Sequence, residues 1–327
     1  MSEQNVTVNP GTKEILFVEP KLQERIWGGS RLKKEWNFPA DRDDQLGELW
    51  AVSCNDQVDG RILNGSFKGR TLSDLWKNEP CLFGNPKDEV FPLLVKIIDA
   101  KENLSIQVHP EDTYAKEHEN SKGKRECWYI LDCPEDAKLI VGNRAGNHEE
   151  LCRMIDEERW DDLLNYVPVK KGDFVQIDPG TLHAITGGIM LLEVQQNSDV
   201  TYRVYDYGRL QNGKPRELHL KQSKDVTKAP NLITKEHVVH PEDEPGVWQQ
   251  LVETVNYKVW EMLLKESAGE VFVPSTGDSF YIAAISEGEG SVNGQALKRG
   301  QFFIIPNGCD NVKVEGNLRI VIAMPVM

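Results

Sequence analysis

Short apolar runs, each of strand length and bounded by turn-forming residues, recur along most of this chain. Examples are FPLLVKIIDA (91–100), LSIQVHP (104–110), GDFVQID (172–178), IMLLEVQQ (189–196) and LRIVIAM (318–324). Several of these runs are rich in β-branched residues, which is typical of strands. Helical patterns are fewer and do not alternate regularly with the strands, as the crossover helices of a parallel sheet would. The sequence therefore predicts a mainly β protein, a β-sandwich or jelly roll with a small helical addition.

Three segments have the spacing and start signals of helices. Residues 71–78 begin with a capping Thr or Ser, and residues 111–120 and 148–167 place apolar residues at helical intervals. We predict helices in these three places.

A polar segment near residues 225–248 carries three prolines and has no sustained period. We therefore predict a division into residues 1–235, a catalytic domain with the helical segments, and residues 236–327, a second β domain. Residues 170–185 and 298–314 share a pattern of basic residue, Gly, apolar strand and turn. If the two segments are repeats of one architecture, Asn311 takes the position of His183, and the second domain lacks metal ligands.

The charge balance excludes some classes of partner. The chain has 38 basic and 52 acidic residues, for a net charge of −14. This balance argues against general binding of nucleic acid or of an anionic membrane. The start of the sequence lacks a basic residue followed by an apolar run, and no stretch reaches the roughly 20 apolar residues of a membrane span. We expect a cytoplasmic protein, a monomer or weak homo-oligomer.

The six cysteines do not form a CxxC pair. Such a set favours free thiols in a reducing compartment over a disulfide framework or a cysteine-type zinc site.

The densest set of chemically active residues lies between positions 96 and 203. Gln107 and His109 are two residues apart, so on a strand they share a face. Glu126 opens the strand ECWYILD, and His183 follows a Pro-Gly turn. Each residue taken singly favours a structural role, but two imidazoles, a carboxylate and an amide oxygen together suit a divalent metal. The remaining histidines lie in polar segments and are interpreted as solvated: His118, His148, His219, His237 and His240.

The run LSIQVHP, followed by KRE and then GTLHAI, resembles the type I mannose-6-phosphate isomerases. The segments RIWGG, LGELWAVS, PLLVKIIDA and NSDVTYRVYDYGR support the resemblance in order through about the first 210 residues. The resemblance implies two cupin-like jelly-roll β-barrels, in the short bacterial form of the family. It also implies reversible interconversion of mannose 6-phosphate and fructose 6-phosphate by proton transfer through an enediol or enediolate.

The same resemblance implies roles for individual residues. One Zn²⁺ per chain would be held by Gln107, His109, Glu126 and His183. The residues that match the reacting centre or the sugar-phosphate site are Arg203, Glu193, Lys124, Lys96, Ser105 and Asp199. Trp27, at a tight turn with Gly28 and Gly29, is expected to form a wall of the core or of the substrate pocket.

The proton carrier is the least determined of these roles. Arginine is permanently charged, so Arg203 suits electrostatic stabilisation better than proton abstraction. Glu193 lies in an apolar run that would raise the pKa of its carboxyl group, which makes it our first choice for the base. A lysine or a metal-bound water stays open as an alternative. For the phosphate, Lys96, Lys124 and Ser105 are candidates, although Lys124 could contact the sugar oxygens instead.

Two other functions fit part of this pattern. A cupin Fe(II) oxygenase also uses two histidines and one carboxylate, and a sugar-phosphate-binding cupin could have lost catalysis. The additional amide ligand Gln107 and the nearby basic residues favour the isomerase.

Overall fold

The computed structural model describes residues 14–327, and its regular structure is dominated by antiparallel strands. The strands, numbered in chain order, are β1 (Leu16–Phe17), β2 (Lys21–Gly29), β3 (Leu46–Val52), β4 (Leu93–Asp99), β5 (Ile106–Val108), β6 (Glu126–Asp132), β7 (Lys138–Asn143), β8 (Leu164–Pro168), β9 (Phe174–Ile177), β10 (His183–Ala184), β11 (Met190–Gln196), β12 (Tyr202–Tyr205), β13 (Leu210–Gln211), β14 (Lys214–Pro215), β15 (Asn231–Leu232), β16 (Val238–Val239), β17 (Gln249–Glu253), β18 (Tyr257–Leu264), β19 (Val271–Phe272), β20 (Tyr281–Val292), β21 (Gln295–Lys298), β22 (Phe302–Ile305) and β23 (Lys313–Pro325). The predicted mainly β fold class is confirmed.

Helices are short and peripheral to the sheets. They are α1 (Arg31–Lys34), α2 (Leu72–Asn78), α3 (Asp112–Glu119), α4 (His148–Asp156), α5 (Trp160–Leu163) and α6 (Leu220–Val226), with 3-10 turns at Pro80–Phe83, Lys235–His237 and Glu266–Ala268. None of the helices in residues 14–327 has the length and apolar character of a membrane span.

Two sheets pack face to face in the first part of the chain. One has seven strands in the order β16-β9-β6-β11-β4-β3-β2, and the other runs β12-β5-β10-β7-β15, with β8 paired to β7. A buried cluster between them contains Trp128 and Leu191 from the first sheet and Leu139 and Val141 from the second. Burial of these inward-facing residues holds the two sheets together as a jelly-roll sandwich.

The third sheet has eight strands and contains most of the carboxyl-terminal part of the chain. Its main order is β1-β22-β20-β23-β18-β17. Two short strands pair across the predicted division after residue 235. Leu16 of β1 pairs with Ile304 of β22, and Val238 of β16 pairs with Val175 of β9. The division itself stays a prediction.

The predicted helix at residues 71–78 is confirmed as α2, and Thr71 caps it by accepting a hydrogen bond from the Asp74 backbone N–H (3.3 Å). The predicted helix over 111–120 is also confirmed as α3. The predicted single helix over 148–167 is wrong. Helix α4 ends at Asp156, and Glu158 adopts a left-handed backbone conformation (φ 52°) that interrupts it. The segment then forms α5 and strand β8, because pairing with β7 overrides the local helical pattern.

The two similar sequence segments fold alike at their turns. Gly172 and Gly300 precede β9 and β22 with φ of 87° and 83°. Gly180 and Gly308 follow these strands with φ of 83° and 65°. Glycine adopts such positive φ values without the strain that a Cβ would cause, which explains the shared sequence pattern.

Candidate functional site

A cavity of about 330 Å³ opens at one end of the sandwich and is lined from both sheets. Its floor is formed by rows of directly opposed residues on neighbouring strands. In the smaller sheet, Gln107 on β5 is opposite His183 on β10 and Arg203 on β12. Opposed residues of neighbouring antiparallel strands project on the same face. The register therefore brings together three side chains that are spread over nearly 100 positions of the sequence.

The two predicted histidine ligands are buried and held in one orientation. Nδ1 of His109 lies 2.8 Å from the Val200 carbonyl, and Nδ1 of His183 lies 2.8 Å from the Thr181 carbonyl. Each carbonyl accepts a hydrogen bond only if Nδ1 carries the proton, which leaves the Nε2 lone pair facing the site.

Electrostatics keep both rings neutral. Burial, reinforced by the positive charge of Lys124, lowers the pKa of His109 to about 3. Burial also lowers the pKa of His183. Neutral imidazole is the form that binds a metal ion.

Glu126 completes a group that fits a metal ion. Its carboxylate oxygens lie 3.4 Å from His109 Nε2 and 3.3 Å from His183 Nε2. The candidate ligand atoms of these three buried residues all lie within 4.8 Å of one another. Oε1 of Glu126 is buried and has no hydrogen-bond partner among the described residues. Glu126 Oε1 and the Nε2 lone pair of His183 face each other at 3.3 Å without a hydrogen between them, which is unfavourable unless a cation lies beside them. The donor set therefore fits a divalent ion.

Lys124 supplies positive charge at this group. Its Nζ contacts a carboxylate oxygen of Glu126 and lies 3.1 Å from His109 Nε2. Burial lowers the pKa of Lys124, but the charges of Glu126 and Glu193 outweigh burial, so the net pKa is raised. Lys124 is therefore protonated and adjacent to the candidate metal ligands.

Gln107 lies beside the same group. Its Nε2 is 3.4 Å from His183 Nε2, and its Oε1 accepts a hydrogen bond from Ser105 Oγ (3.4 Å). Rotation of the carboxamide exchanges these two ends, so Gln107 can present its oxygen to an ion.

A second row of opposed residues lines the cavity from the larger sheet. Glu193 on β11 is opposite Trp128 on β6 and Lys96 on β4. Glu193 accepts a hydrogen bond from Trp128 Nε1 (3.1 Å), and its other oxygen lies 3.4 Å from Lys96 Nζ. Burial, together with the negative charge of Glu126, raises the pKa of Glu193 despite the two nearby lysines. The pKa of Glu193 is thus closer to neutral pH than that of an exposed glutamate.

The remaining predicted residues lie on the walls and rim of the cavity. Trp27 and Ser105 are buried wall residues, and Arg203 is half-buried. Asp199 is exposed at the rim and accepts a hydrogen bond from Gln57 Nε2 (2.7 Å). Eight of the eleven predicted site residues thus line one cavity, and His109, Glu126 and His183 contact the lining residues Lys124 and Gln107.

Sequence reasoning missed a buried acidic group on β3. Glu48 accepts hydrogen bonds from Trp50 Nε1 (2.6 Å) and Arg25 Nη2 (2.8 Å), and all three residues line the cavity. Burial raises the pKa of Glu48, but Lys96 and Arg25 outweigh this and lower it overall. The available signal was the pattern of a glutamate two residues from a tryptophan within the strand LGELWAVS.

Sequence reasoning also missed Arg216 and misassigned His219. His219 was interpreted as solvated, but it is half-buried, lines the cavity and accepts a hydrogen bond from the Arg203 backbone N–H (3.2 Å). Arg216 lines the cavity from the same polar segment. No periodic pattern marks this segment, so the sequence held no signal for either residue.

A jelly-roll sandwich with a buried His–Glu–His group beneath an open polar cavity defines a cupin-type protein with a candidate metal centre. Residues 15–133 match the family described as phosphomannose isomerase type I, catalytic domain.

Full-length relatives extend the match. Mannose-6-phosphate isomerase ManA of Bacillus subtilis (strain 168) is 42% identical over 95% of this chain and 99% of the relative. Mannose-6-phosphate isomerase of Streptococcus mutans is 39% identical over 94% of this chain and 97% of the relative. The crystal structure of mannose 6-phosphate isomerase from Bacillus subtilis superimposes with a TM-score of 0.83 at 34% identity, covering 94% and 99% of the two chains.

The chain belongs to the type I phosphomannose isomerase family. It is therefore an enzyme of the aldose–ketose isomerase class, in a metal-dependent family.

Proposed function

We propose that this chain interconverts mannose 6-phosphate and fructose 6-phosphate through an enediol or enediolate, with one zinc ion per chain. The observation that carries the proposal is the buried group of His109, Glu126 and His183, within 4.8 Å of one another, below a cavity that several cationic side chains line. The names of relatives at 42% and 39% identity support the substrate. We further propose that it acts in the cytoplasm, as a monomer or weak homo-oligomer.

The proposed zinc ligands are Gln107, His109, Glu126 and His183. Neutral imidazole nitrogens with one carboxylate and one amide oxygen form a donor set that zinc accepts. When bound, the ion supplies a Lewis acid that stabilises negative charge on sugar oxygen O1 or O2.

Glu193 is the proposed base that moves the proton between C2 and C1 of the sugar. An effective base needs a pKa near the working pH, so that it both removes and returns the proton. The burial that raises the pKa of Glu193 supports this role. Its hydrogen bond from Trp128 fixes one carboxylate oxygen, and the other, 3.4 Å from Lys96 Nζ, is proposed to transfer the proton.

Arg203 is proposed to stabilise the charge that develops on the sugar oxygens. Its guanidinium group stays positive throughout the reaction, and its position opposite Gln107 brings it beside the proposed ligands. Lys124 is proposed to act with it as a second fixed cation that contacts the reacting sugar oxygens.

Lys96, Ser105, Asp199 and Trp27 are the proposed substrate-binding residues. Trp27 provides an apolar wall, and the three polar residues offer hydrogen bonds to sugar hydroxyl groups. Together they would fix the sugar so that C1 and C2 face Glu193.

The proposal is tested by metal analysis of the purified protein and by a coupled assay for fructose 6-phosphate. We expect about one zinc per chain and turnover of mannose 6-phosphate, with Glu193→Gln reducing the rate by roughly 100-fold or more. Bound iron with oxygen consumption would instead support a cupin oxygenase. Binding of mannose 6-phosphate without turnover would support a non-catalytic sugar-phosphate-binding protein.

A further inference from the structure

The cations that line the cavity differ in how their charge is neutralised. Lys124 contacts the carboxylate of Glu126, and Lys96 lies 3.4 Å from that of Glu193. Arg25 is paired with Glu48 at 2.8 Å. Each of these cations therefore has a carboxylate partner of its own, so none of them gives the cavity an excess of positive charge.

The side of the cavity formed by β12 and the segment after it differs from this pattern. Arg203 donates to a backbone carbonyl, that of Glu217 (2.8 Å), and its Nε is buried with no hydrogen-bond partner among the described residues. Arg216 is paired with Asp206, but that carboxylate also accepts a hydrogen bond from Arg209. One carboxylate thus faces two guanidinium groups, with a third guanidinium nearby. Asp199 at the rim and Glu217 beside Arg203 add negative charge nearby, but neither makes a hydrogen bond or ion pair with these guanidinium groups through its carboxylate among the contacts of the described residues.

The segment that carries Arg216 is fixed against the wall of the cavity. The His219 backbone N–H donates to the Arg203 carbonyl (2.8 Å), and the Arg203 N–H donates to His219 Nδ1 (3.2 Å). Asp206 binds Arg216 through both oxygens, with Nε at 2.8 Å. The Arg216 side chain is only 14% exposed and that of Asp206 only 5%. A guanidinium group held in this way loses little conformational entropy when an anion binds.

Resting on the proposed function, we infer that Arg216, held by Asp206, binds the phosphate group of the sugar phosphate on this side of the cavity. Arginine presents a planar set of donors that matches phosphate oxygens, and Arg216 shares its one carboxylate partner with Arg209, so its charge is only partly neutralised. The phosphate is bound beside Arg216, while the reacting carbons C1 and C2 lie near Glu193 and the His–Glu–His group. Lys96 and Lys124 are left to the sugar oxygens, because their charge is already neutralised by carboxylates.

The test compares Arg216→Gln with Lys221→Gln, which removes the same charge from an exposed position on α6 that is not among the residues lining the cavity. In the full-length, metal-loaded enzyme we expect Arg216→Gln to raise KM for mannose 6-phosphate by roughly 10- to 100-fold, the size expected for a lost hydrogen bond to a charged group. We expect kcat to change by less than about threefold, and KM of Lys221→Gln to stay within about twofold of the wild-type value. Arg216→Lys keeps the charge without the planar donors and should give an intermediate KM.

Inorganic phosphate is the second probe. We expect it to inhibit the wild-type enzyme competitively, with an inhibition constant that rises in Arg216→Gln in parallel with KM. Asp206→Asn leaves Arg216 in place but loosens it, so a smaller rise is expected, and circular dichroism verifies that each variant is folded. Unchanged KM and phosphate inhibition in folded Arg216→Gln would overturn the inference, as would a fall in kcat at constant KM. Absence of isomerase activity in the wild type would overturn the proposed function instead, and direct calorimetric titration with phosphate would then still test the role of Arg216.

Discussion

At the scale of single residues, the account depends on a carboxylate that has no exposed surface. Glu126 is 0% exposed, and its unpaired Oε1 faces His183. Burial of a carboxylate is unfavourable by several kcal/mol unless neighbouring cations neutralise it. Lys124 supplies part of this charge, and a metal ion would supply the rest.

We predict that Glu126→Ala and His183→Ala each lose bound metal and activity together, because each removes one ligand from a small set. Metal content and the coupled assay measure both properties in the same samples. His118→Ala is the matched control, since this exposed histidine lies on α3, and it should keep both. Full metal content with normal turnover in either ligand variant would contradict the assignment.

Arg203→Ala should lose activity without losing metal, unlike the two ligand variants. We predict that it keeps its metal and its folded structure but lowers turnover by roughly 100-fold or more, the effect of removing an oxyanion-type donor. Steady-state kinetics and metal analysis test this separation. A near-wild-type rate would remove Arg203 from the mechanism.

The metal-free protein should lose stability on acidification. The folded pKa of His109 is about 3, whereas an unfolded histidine titrates near pH 6.5. Between these values the unfolded chain binds a proton that the folded protein does not, so stability falls as the pH drops below about 6.5. The slope from this group approaches about 1.4 kcal/mol per pH unit. Urea unfolding of His109→Gln should show a shallower slope, and equal slopes would contradict the effect.

At the scale of elements, the turn between β9 and β10 positions both histidines. The Gly180 backbone N–H donates to the His109 carbonyl (2.9 Å), and the Thr181 carbonyl orients His183. Gly180 has φ of 83°, and a Cβ there would lie 2.8 Å from the Val226 carbonyl oxygen. The turn therefore requires glycine both for its conformation and for space.

We predict that Gly180→Ala weakens metal binding as well as stability, because the turn must shift to accommodate the methyl group. Gly172→Ala is the matched control. Its φ of 87° imposes similar strain, about 1 kcal/mol, but its Cβ would meet nothing within 4 Å. Zinc titration of the two variants should separate them, and equal affinities would show that strain alone accounts for the effect.

The sequence predicted what depends on local pattern. The two-residue spacing of Gln107 and His109, the strand at Glu126 and the turn before His183 were all visible in it. Glu48 and Arg216 were not identified, because their place in the site follows from register and packing between segments remote in sequence. His219 was misassigned for the same reason: its polar neighbours indicate solvent, but its contact with the β12 backbone is tertiary.

At the scale of the whole molecule, one apolar core links the carboxyl-terminal sheet to the rest. A single buried cluster includes Leu93 and Val95 of β4 together with Ile282 of β20 and Ile304 of β22. Within it, Phe280 packs against Phe83 at 5.1 Å and against Phe91 and Trp76. The carboxyl-terminal sheet is therefore expected to stabilise the rest of the chain rather than to fold apart from it.

We predict that Phe280→Ala lowers the free energy of unfolding by about 3–5 kcal/mol, the usual effect of such a cavity. Because the core is shared, the loss should appear in one cooperative transition reported alike by fluorescence and by enzyme activity. Two separate transitions, with activity surviving the first, would contradict a shared core.

The most direct test of the account is zinc titration of chelator-stripped protein, followed by the rate of fructose 6-phosphate formation from mannose 6-phosphate. We predict no turnover without metal, and a linear rise that stops at one zinc per chain. Full activity in the metal-free protein, or saturation at any other ratio, would contradict a single zinc centre built on Gln107, His109, Glu126 and His183.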